Sequence, residues 1–403
     1  MIKLGKIDKK IFLPISAGLL FWPFSIVRSY TEMNNHYIIV SLCSSMGMML
    51  SIIPLLISRK NMKRAMSNKN FKNKEKKSKN IEISLIYNKS SEKIKRYKFL
   101  YIFLSSLCDF LQTLLATIIY NNTIKVNFWL LDLVFLSSLS YFILNRKLFR
   151  HQILSMIIII ILGIILDFLF GSLDKILDNI EYFLLRIFSE FCYSLSVIIN
   201  KYCMEFKFSP PYEICLFIGI YTFLFYLILL IISSNLPCKF EFCIVKDENK
   251  NLFYFDNFLI YISKMNIKEF FLFLIGMIML GIINLFTLLT LKHYSPCHTL
   301  IILIIGRIIV LIEKFFINIE LYDIMSIIIM IFILIILLVY VEIIILNFCE
   351  IQKNTKENIE LRSELDTVFT ERDNNQGESL LNLNIENDIE DSIESSSRNS
   401  SNW

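Results

Sequence analysis

Charge is scarce in this sequence. Of its 403 residues only 19% are charged, 41 basic against 36 acidic for a net +5, while 55% are hydrophobic. Mean hydropathy is +0.58. Cys215–Ile232, Phe270–Leu291 and Ile324–Val341 are nearly free of charge, and each is close to the roughly 20 residues that cross a bilayer. Met156–Leu166 is shorter but wholly apolar. A soluble interior has too little room for so many apolar helices, which excludes a soluble enzyme, a secreted disulfide scaffold and a disordered chain. Glycine (10) and proline (7) are also few, while Ile, Lys, Asn, Phe and Tyr abound. That bias fits an AT-rich gene, so lysine runs and isoleucine blocks are discounted.

Histidine is rarer still: His36, His151, His293 and His298. The sequence lacks His-Glu-x-x-His, Asp-His-His-Cys and Gly-x-Gly-Asp motifs, so a membrane-embedded enzyme is not expected. It also lacks a filter-like segment of the kind an ion channel needs. The nine cysteines show no metal-like clustering, and seven, such as Cys43, Cys108 and Cys192, lie in or beside apolar stretches as small packing residues. No metal, no cofactor and no nucleic-acid partner are expected. No cleavable signal peptide is visible. The first apolar run follows the basic start Met1–Lys10 and reads as a signal-anchor.

What is present is an all-α, multi-span pattern. Ten spans are expected, at about 11–30, 36–57, 98–120, 123–144, 152–170, 179–201, 212–233, 268–291, 296–317 and 323–347. Basic residues orient them. Lys3, Lys6, Lys9 and Lys10 precede the first span, and fifteen Lys/Arg lie between Arg59 and Lys98. Arg146, Lys147 and Arg150 follow the fourth span, Lys201 and Lys207 the sixth, and Lys292 the eighth. Ten spans place all of these on one side, the cytoplasm, with both termini. The chain then divides into the N-terminus and first two spans (1–58), a basic cytoplasmic loop expected to be unstructured (59–97), spans three to ten (98–347) and an acidic, Ser/Asn-rich cytoplasmic tail expected to be disordered (348–403). The basic loop is suited to anionic lipid headgroups, at about 1 kcal/mol per basic residue near the surface. A solvated loop is the plainer reading of it.

Ten spans divide as five plus five. A five-span unit begins and ends on opposite sides, so its duplicate is inverted, the plan of many secondary transporters with substrate held near the midplane. Charge inside the bilayer is costly, from about 2.5 to more than 10 kcal/mol, which makes the exceptions the site candidates. On span three, Asp109, Gln112, Thr113, Thr117 and Tyr120 share one helical face. Span four offers Asn127, Asp132, Ser137 and Ser138, and span six offers Arg186, Ser189, Glu190, Ser194, Ser196 and Asn200. Span eight offers Asn284 and Thr287, and span nine His298, Thr299 and Arg307. The substrate-binding set expected from these is Asp109, Gln112, Thr113, Thr117, Asp132, Glu190, Asn284 and Arg307. Each has a plainer reading beside it. Arg186 and Glu190, four apart, can neutralise each other. Ser and Thr can bond back to their own helix. Lys201 and Lys314 can snorkel from span ends, and His298 can be a packing histidine.

Four stretches carry a family resemblance. They are Leu107-Cys108-Asp109-Phe110 through Asn121, Leu139 through Leu148, Asn200-Lys201-Tyr202 through Pro210-Pro211-Tyr212-Glu213, and Asn284-Leu285-Phe286 through Ser295-Pro296 with Arg307. In these the chain resembles the drug/metabolite transporter superfamily, in particular its nucleotide-sugar-transporter-like solute carriers, over about residues 11–347. Relatives often place a basic or small residue in span four where this chain has Trp129-Leu130-Leu131-Asp132, so substrate is not carried over. The resemblance implies alternating access, exchange or proton-coupled transport of a small-molecule substrate, and residence in an endomembrane such as Golgi or a lysosome/vacuole. The long loop Ser233–Lys268 is similar to that of the chloroquine-resistance-type carriers of the same superfamily. It leaves Cys238 and Cys243 either bonded on the lumenal side or free. The competing reading is a non-transporting multi-span scaffold or receptor that recruits partners through its acidic tail. A homodimer is compatible with both.

Overall fold

The computed structural model describes residues 2–4, 12–21, 23–24, 36–60, 97–121, 130–169, 180–240, 243, 245–247, 252–317 and 321–346. The basic loop beyond Lys60 and the acidic tail lie outside these residues, as do Asn127 and Trp129. The chain divides into a small unit of Met1–Lys3, Phe149–His151 and Ile345–Trp403, and a large one comprising the rest. In the small unit the rings of Phe149 and His151 stack.

Helices stand at all ten expected places: α1 Phe12–Leu19, α2 Tyr37–Met49, α3 Lys98–Asn121, α4 Leu131–Leu144, α5 Arg150–Leu169, α6 Ile180–Phe206, α7 Pro211–Asn235, α8 Ile267–His293, α9 Thr299–Ile317 and α10 Leu321–Tyr340. Among the described residues, six helical stretches are long and apolar enough to cross a membrane. They are Tyr37–Lys60, α3, α6, α7, α8 and Pro296–Glu313. Helix α4 has 14 residues and α1 only 8, against the 123–144 and 11–30 expected. Asp132, expected well inside span four, therefore sits in the first turn of its described helix. There its carboxyl faces the positive end of the peptide dipoles.

Local chemistry explains the helix ends. Proline 54 has no N–H to offer the carbonyl four residues back, so the helix that begins at Tyr37 breaks rhythm before it. Leu50 and Ser51 donate instead to Gly47 and Met48, three residues back, and helical bonding resumes toward Lys60. Asn145 ends α4 in the left-handed region at φ 52°, a role asparagine tolerates. Pro211 opens α7 where its missing N–H costs nothing. Asn266 and Glu269 close a capping box on α8.

The main packings are α6 on α3 and α4, α7 on α2 and α3, α8 on α1 and α2, and α9 on α1 and α10. Two of these crossings require glycine. At the α2–α8 crossing a Cβ on Gly47 would meet the Met277 carbonyl and stand 2.9 Å from the Gly281 nitrogen, and a Cβ on Gly281 would meet the Gly47 carbonyl. At the α1–α9 crossing Gly18 lies against Ile305, and Gly306 against Phe21. Phe103 and Phe110 of α3 pack edge-on or tilted against Tyr221, Phe225 and Tyr226 of α7, with centroids 5.1–5.7 Å apart.

The segment between α7 and α8, expected as a long cysteine-bearing loop, is built. Cys238 and Cys243 are disulfide-bonded. Val245–Asp247 pairs antiparallel with Leu252–Tyr254. A short helix follows over Phe258–Lys264, its first turn capped by the Asn257 side chain. Between strand and helix lies Asp256, fully buried. It accepts from the backbone N–H groups of Ile38 (2.9 Å) and Ile39 (3.2 Å), and its other oxygen lies 2.6 Å from His36 Nδ1. Asp256 thus caps α2 from 218 positions along the chain, a pairing no sequence spacing reveals. Asp256→Ala is expected to cost about 1–3 kcal/mol, because donors at a buried helix start lose their acceptor. Asp256→Asn, which keeps one acceptor oxygen, should cost less. Thermal unfolding of the purified protein checks the order.

At the opposite end Lys201, expected to snorkel, is buried instead. Its ammonium donates to the carbonyls of Leu291 (2.6 Å) and Tyr294 (2.9 Å). A cation is favoured there, because the last carbonyls of α8 lack helical partners. Glu205 pairs with Lys201 at 3.1 Å and with Arg146 at 2.5 Å, and Lys98 pairs with Glu213 at 2.8 Å. Here too Tyr340 and Ser137 share a 2.7 Å bond, and Cys297 donates to Tyr340 at 3.4 Å.

Candidate functional site

Helix α6 carries the centre. Its residues Arg186, Glu190, Tyr193 and Ser194 recur every three or four positions, so they share a face. That face lies at mid-length of a 27-residue helix packed between α3 and α4. Arg186 and Glu190 form an ion pair one turn apart, which bears out the plainer reading of those two residues. The pair is not isolated, however.

Asp132, 2% exposed, enters from α4. Its carboxyl lies within electrostatic range of Glu190, Arg186 and Arg307. Ser194 donates weakly to it, at 3.4 Å. Arg307 enters from α9 and feels Arg186, Glu190 and Asp132 in turn. Tyr193, on the adjoining turn of α6, lies beside Thr299 at the start of α9 and within electrostatic range of Asp109 on α3. Three helices far apart in sequence therefore bring two carboxyls and two guanidinium groups together where water is scarce. Such groups persist in an apolar interior only when they neutralise one another.

Arg307 also borders a cavity of about 340 Å³, at the small end of the range for small-molecule sites. Its walls are apolar: Phe21, Leu166 of α5, Leu303 and Val310 of α9, and Met330 of α10. Among the described residues its polar side chains are Arg307 and Ser326.

Of the eight expected binding residues, the structure brings together Asp132, Glu190 and Arg307. The others lie elsewhere. Thr113 and Thr117 donate to carbonyls one turn back in α3, and Thr113 with Ser41 reaches the Tyr226 hydroxyl. That group surrounds a space of about 10 Å³, roughly what one water needs. Gln112 bonds to Thr113 through its side chain and accepts from Ser189 through its backbone. Asp109 is half-buried between Tyr193 and Tyr226, in electrostatic range of both. Asn284 donates to Ser44 at 3.1 Å and joins α8 to α2 beside the glycine crossing, a packing role. His298 is a packing histidine, bonded to Ser295 at 2.8 Å and stacked on Tyr294. Sequence reasoning missed Tyr193, whose aromatic ring looks like any other span residue until Thr299 is seen beside it.

Apolar helices of membrane-crossing length around a buried cluster of opposite charges define a helical membrane protein with a polar centre. No protein-family model and no characterised protein matches the sequence.

Proposed function

We propose that the chain is a secondary transporter that moves a small charged metabolite across an endomembrane by alternating access between two inverted halves of five helices, α1–α5 and α6–α10. The observation that carries this reading is the buried charge cluster of Asp132, Arg186, Glu190 and Arg307, beside a cavity. Ionisable groups inside a bilayer mark substrate and proton pathways when they face one another or a cavity. The helix neighbours support the two halves. A shift by five positions turns α3–α6 into α8–α1, α4–α6 into α9–α1 and α3–α7 into α8–α2, and maps α2–α7 onto itself. These are pairs that a two-fold axis in the membrane plane would exchange; among the main packings of the described residues, α9–α10 has no α4–α5 counterpart. The cluster joins one half to the other, with Asp132 from the first and Glu190 and Arg307 from the second. A rocking motion would open and close it. A proton and a charged solute can each rebalance the cluster, which fits coupled transport.

The test is uptake by proteoliposomes of the purified protein, given a mixed metabolite pool and a pH gradient. Solute accumulation that collapses when the gradient is dissipated is the expected result. Exchange that ignores the gradient would favour an antiporter. No flux from monodisperse, folded protein would overturn the transporter reading.

A further inference from the structure

Resting on that transporter reading, we infer that the helix pairs α3–α4 and α6–α7 form the gate at the cytoplasmic end. Two ion pairs between them, Lys98–Glu213 and Arg146–Glu205, latch it shut in this structure.

Lys98 opens α3 and Arg146 follows the end of α4, so both cations belong to the first half. Glu205 stands in the last turn of α6 and Glu213 in the first turn of α7, so both acids belong to the second. Lys98 meets Glu213 at 2.8 Å and Arg146 meets Glu205 at 2.5 Å. All four lie at the end that the basic residues of the sequence assign to the cytoplasm. One separation of the two helix pairs breaks both bonds, which is what a gate between rocking halves must do. Further contacts cross the same seam. The ring of Tyr101 on α3 lies 5.4 Å from that of Tyr202 on α6, and Lys207 Nζ stands 5.6 Å from the centre of Tyr101.

The two bonds differ in kind. The Lys98 and Glu213 side chains are only 11% and 13% exposed. Charges so covered part only as water enters to replace the lost partner, so this pair is the lock. Arg146 and Glu205 are 36% and 33% exposed, and a pair so wet is weak by itself. Glu205 also holds Lys201 at 3.1 Å. When Arg146 leaves, that carboxylate keeps a cation, so opening strands no acid. Lys201 in turn donates to the carbonyls of Leu291 and Tyr294 at the end of α8. The α6–α7 pair is thereby tied to its own half and moves with it.

The turn between α6 and α7 is the hinge. It is four residues, Lys207 to Pro210. Phe208 has φ 51°, the left-handed region that a bulky side chain rarely adopts. Its ring is 68% exposed, so the ring's own packing does not hold the backbone there. The fixed ends of α6 and α7 do. The turn after α4 has the same shape, with Asn145 at φ 52° and Arg146 N–H reaching the Ser140 carbonyl as Ser209 N–H reaches that of Cys203. Asparagine tolerates that backbone and phenylalanine does not. Strain of this kind persists only where the surroundings impose it, and it collects at switch segments. Opening the latch lets it relax.

Cys203 reports on the latch, since it is fully buried near the end of α6 beside this turn. The full chain in lipid nanodiscs is treated with a sulfonated, water-soluble maleimide, and labelled cysteines are located by peptide mass. Lys98→Glu sets two acids face to face and should raise the Cys203 labelling rate roughly tenfold or more. Lys98→Glu with Glu213→Lys should restore the wild-type rate. Cys43, buried on α2 nearer the opposite end, should stay unlabelled throughout. Phe208→Asn, which relieves the turn, should slow Cys203 labelling about threefold. For flux, Lys98→Cys with Glu213→Cys is bridged by a short bifunctional methanethiosulfonate in proteoliposomes. The bridged protein should lose its uptake of the mixed pool and regain it on reduction, while the wild type keeps its uptake through both treatments.

An unchanged Cys203 rate in Lys98→Glu, or a swap that does not rescue it, overturns the latch. Labelling of Cys43 alongside Cys203 overturns it too, because the pair then holds the whole fold rather than one end. Faster labelling of Phe208→Asn overturns the hinge. If solute still moves through the bridged protein, the gate is wrong and the transporter stands. If no protein moves any solute, the wild type included, both readings fall.

Discussion

Asp132→Leu should cost the folded protein about 3–5 kcal/mol, because it leaves the guanidinium charge of Arg186 and Arg307 under-compensated in a buried site. Arg307→Met should cost a similar amount for the opposite reason, leaving Asp132 and Glu190 in excess. The double substitution removes one charge of each sign and restores balance with side chains of comparable volume. It should cost less than the sum by about 0.5–3 kcal/mol, the range for residues that share a network. Thermal unfolding of the four proteins in one detergent measures the coupling. Additive losses would mean that Asp132 and Arg307 do not sense each other. All three variants should lose coupled transport, the stable double included, since it has neither the full carboxyl pair nor the cavity arginine.

The second large effect is expected where no charge is involved. Gly47→Ala and Gly281→Ala would each improve helix propensity by up to about 1 kcal/mol in an exposed helix. Here each new methyl meets backbone of the facing helix rather than a side chain that can swing away. Overpacking of about 1–3 kcal/mol or more therefore wins, and both variants should unfold at lower temperature. Gly47→Val should go further and part α2 from α8, a separation that would expose the Asn284–Ser44 bond beside the crossing.

These expectations differ in how much of them the sequence carries. Asp132, Glu190 and Arg307 stand out in the sequence because ionisable groups in apolar runs are rare and costly. The neighbours each finds do not stand out. Asp109 lies on a polar face as regular as any in the chain, yet the two threonines of that face bond to their own helix and Tyr226. Lys201 has the position of a snorkelling residue, but the end of α8 lies beside it and takes its charge inward. Gly47 and Gly281 are two of ten glycines, and their importance depends wholly on what crosses them.

The sequence by itself determined that this is a helical membrane protein and where most of its long helices lie. Both follow from local properties, the length of apolar runs and the prolines, asparagines and charges that end them. The tertiary structure alone decided which polar groups meet. Asp132, Glu190 and Arg307 are brought together by the rotation and crossing of α4, α6 and α9, and Asp256 reaches α2 through a folded connector. Apolar helices tell a chain to enter the bilayer, but nearly every face of such a helix is greasy enough to be a packing face. Small residues at crossings and the cost of unpaired charge choose among those faces, and both act only between helices.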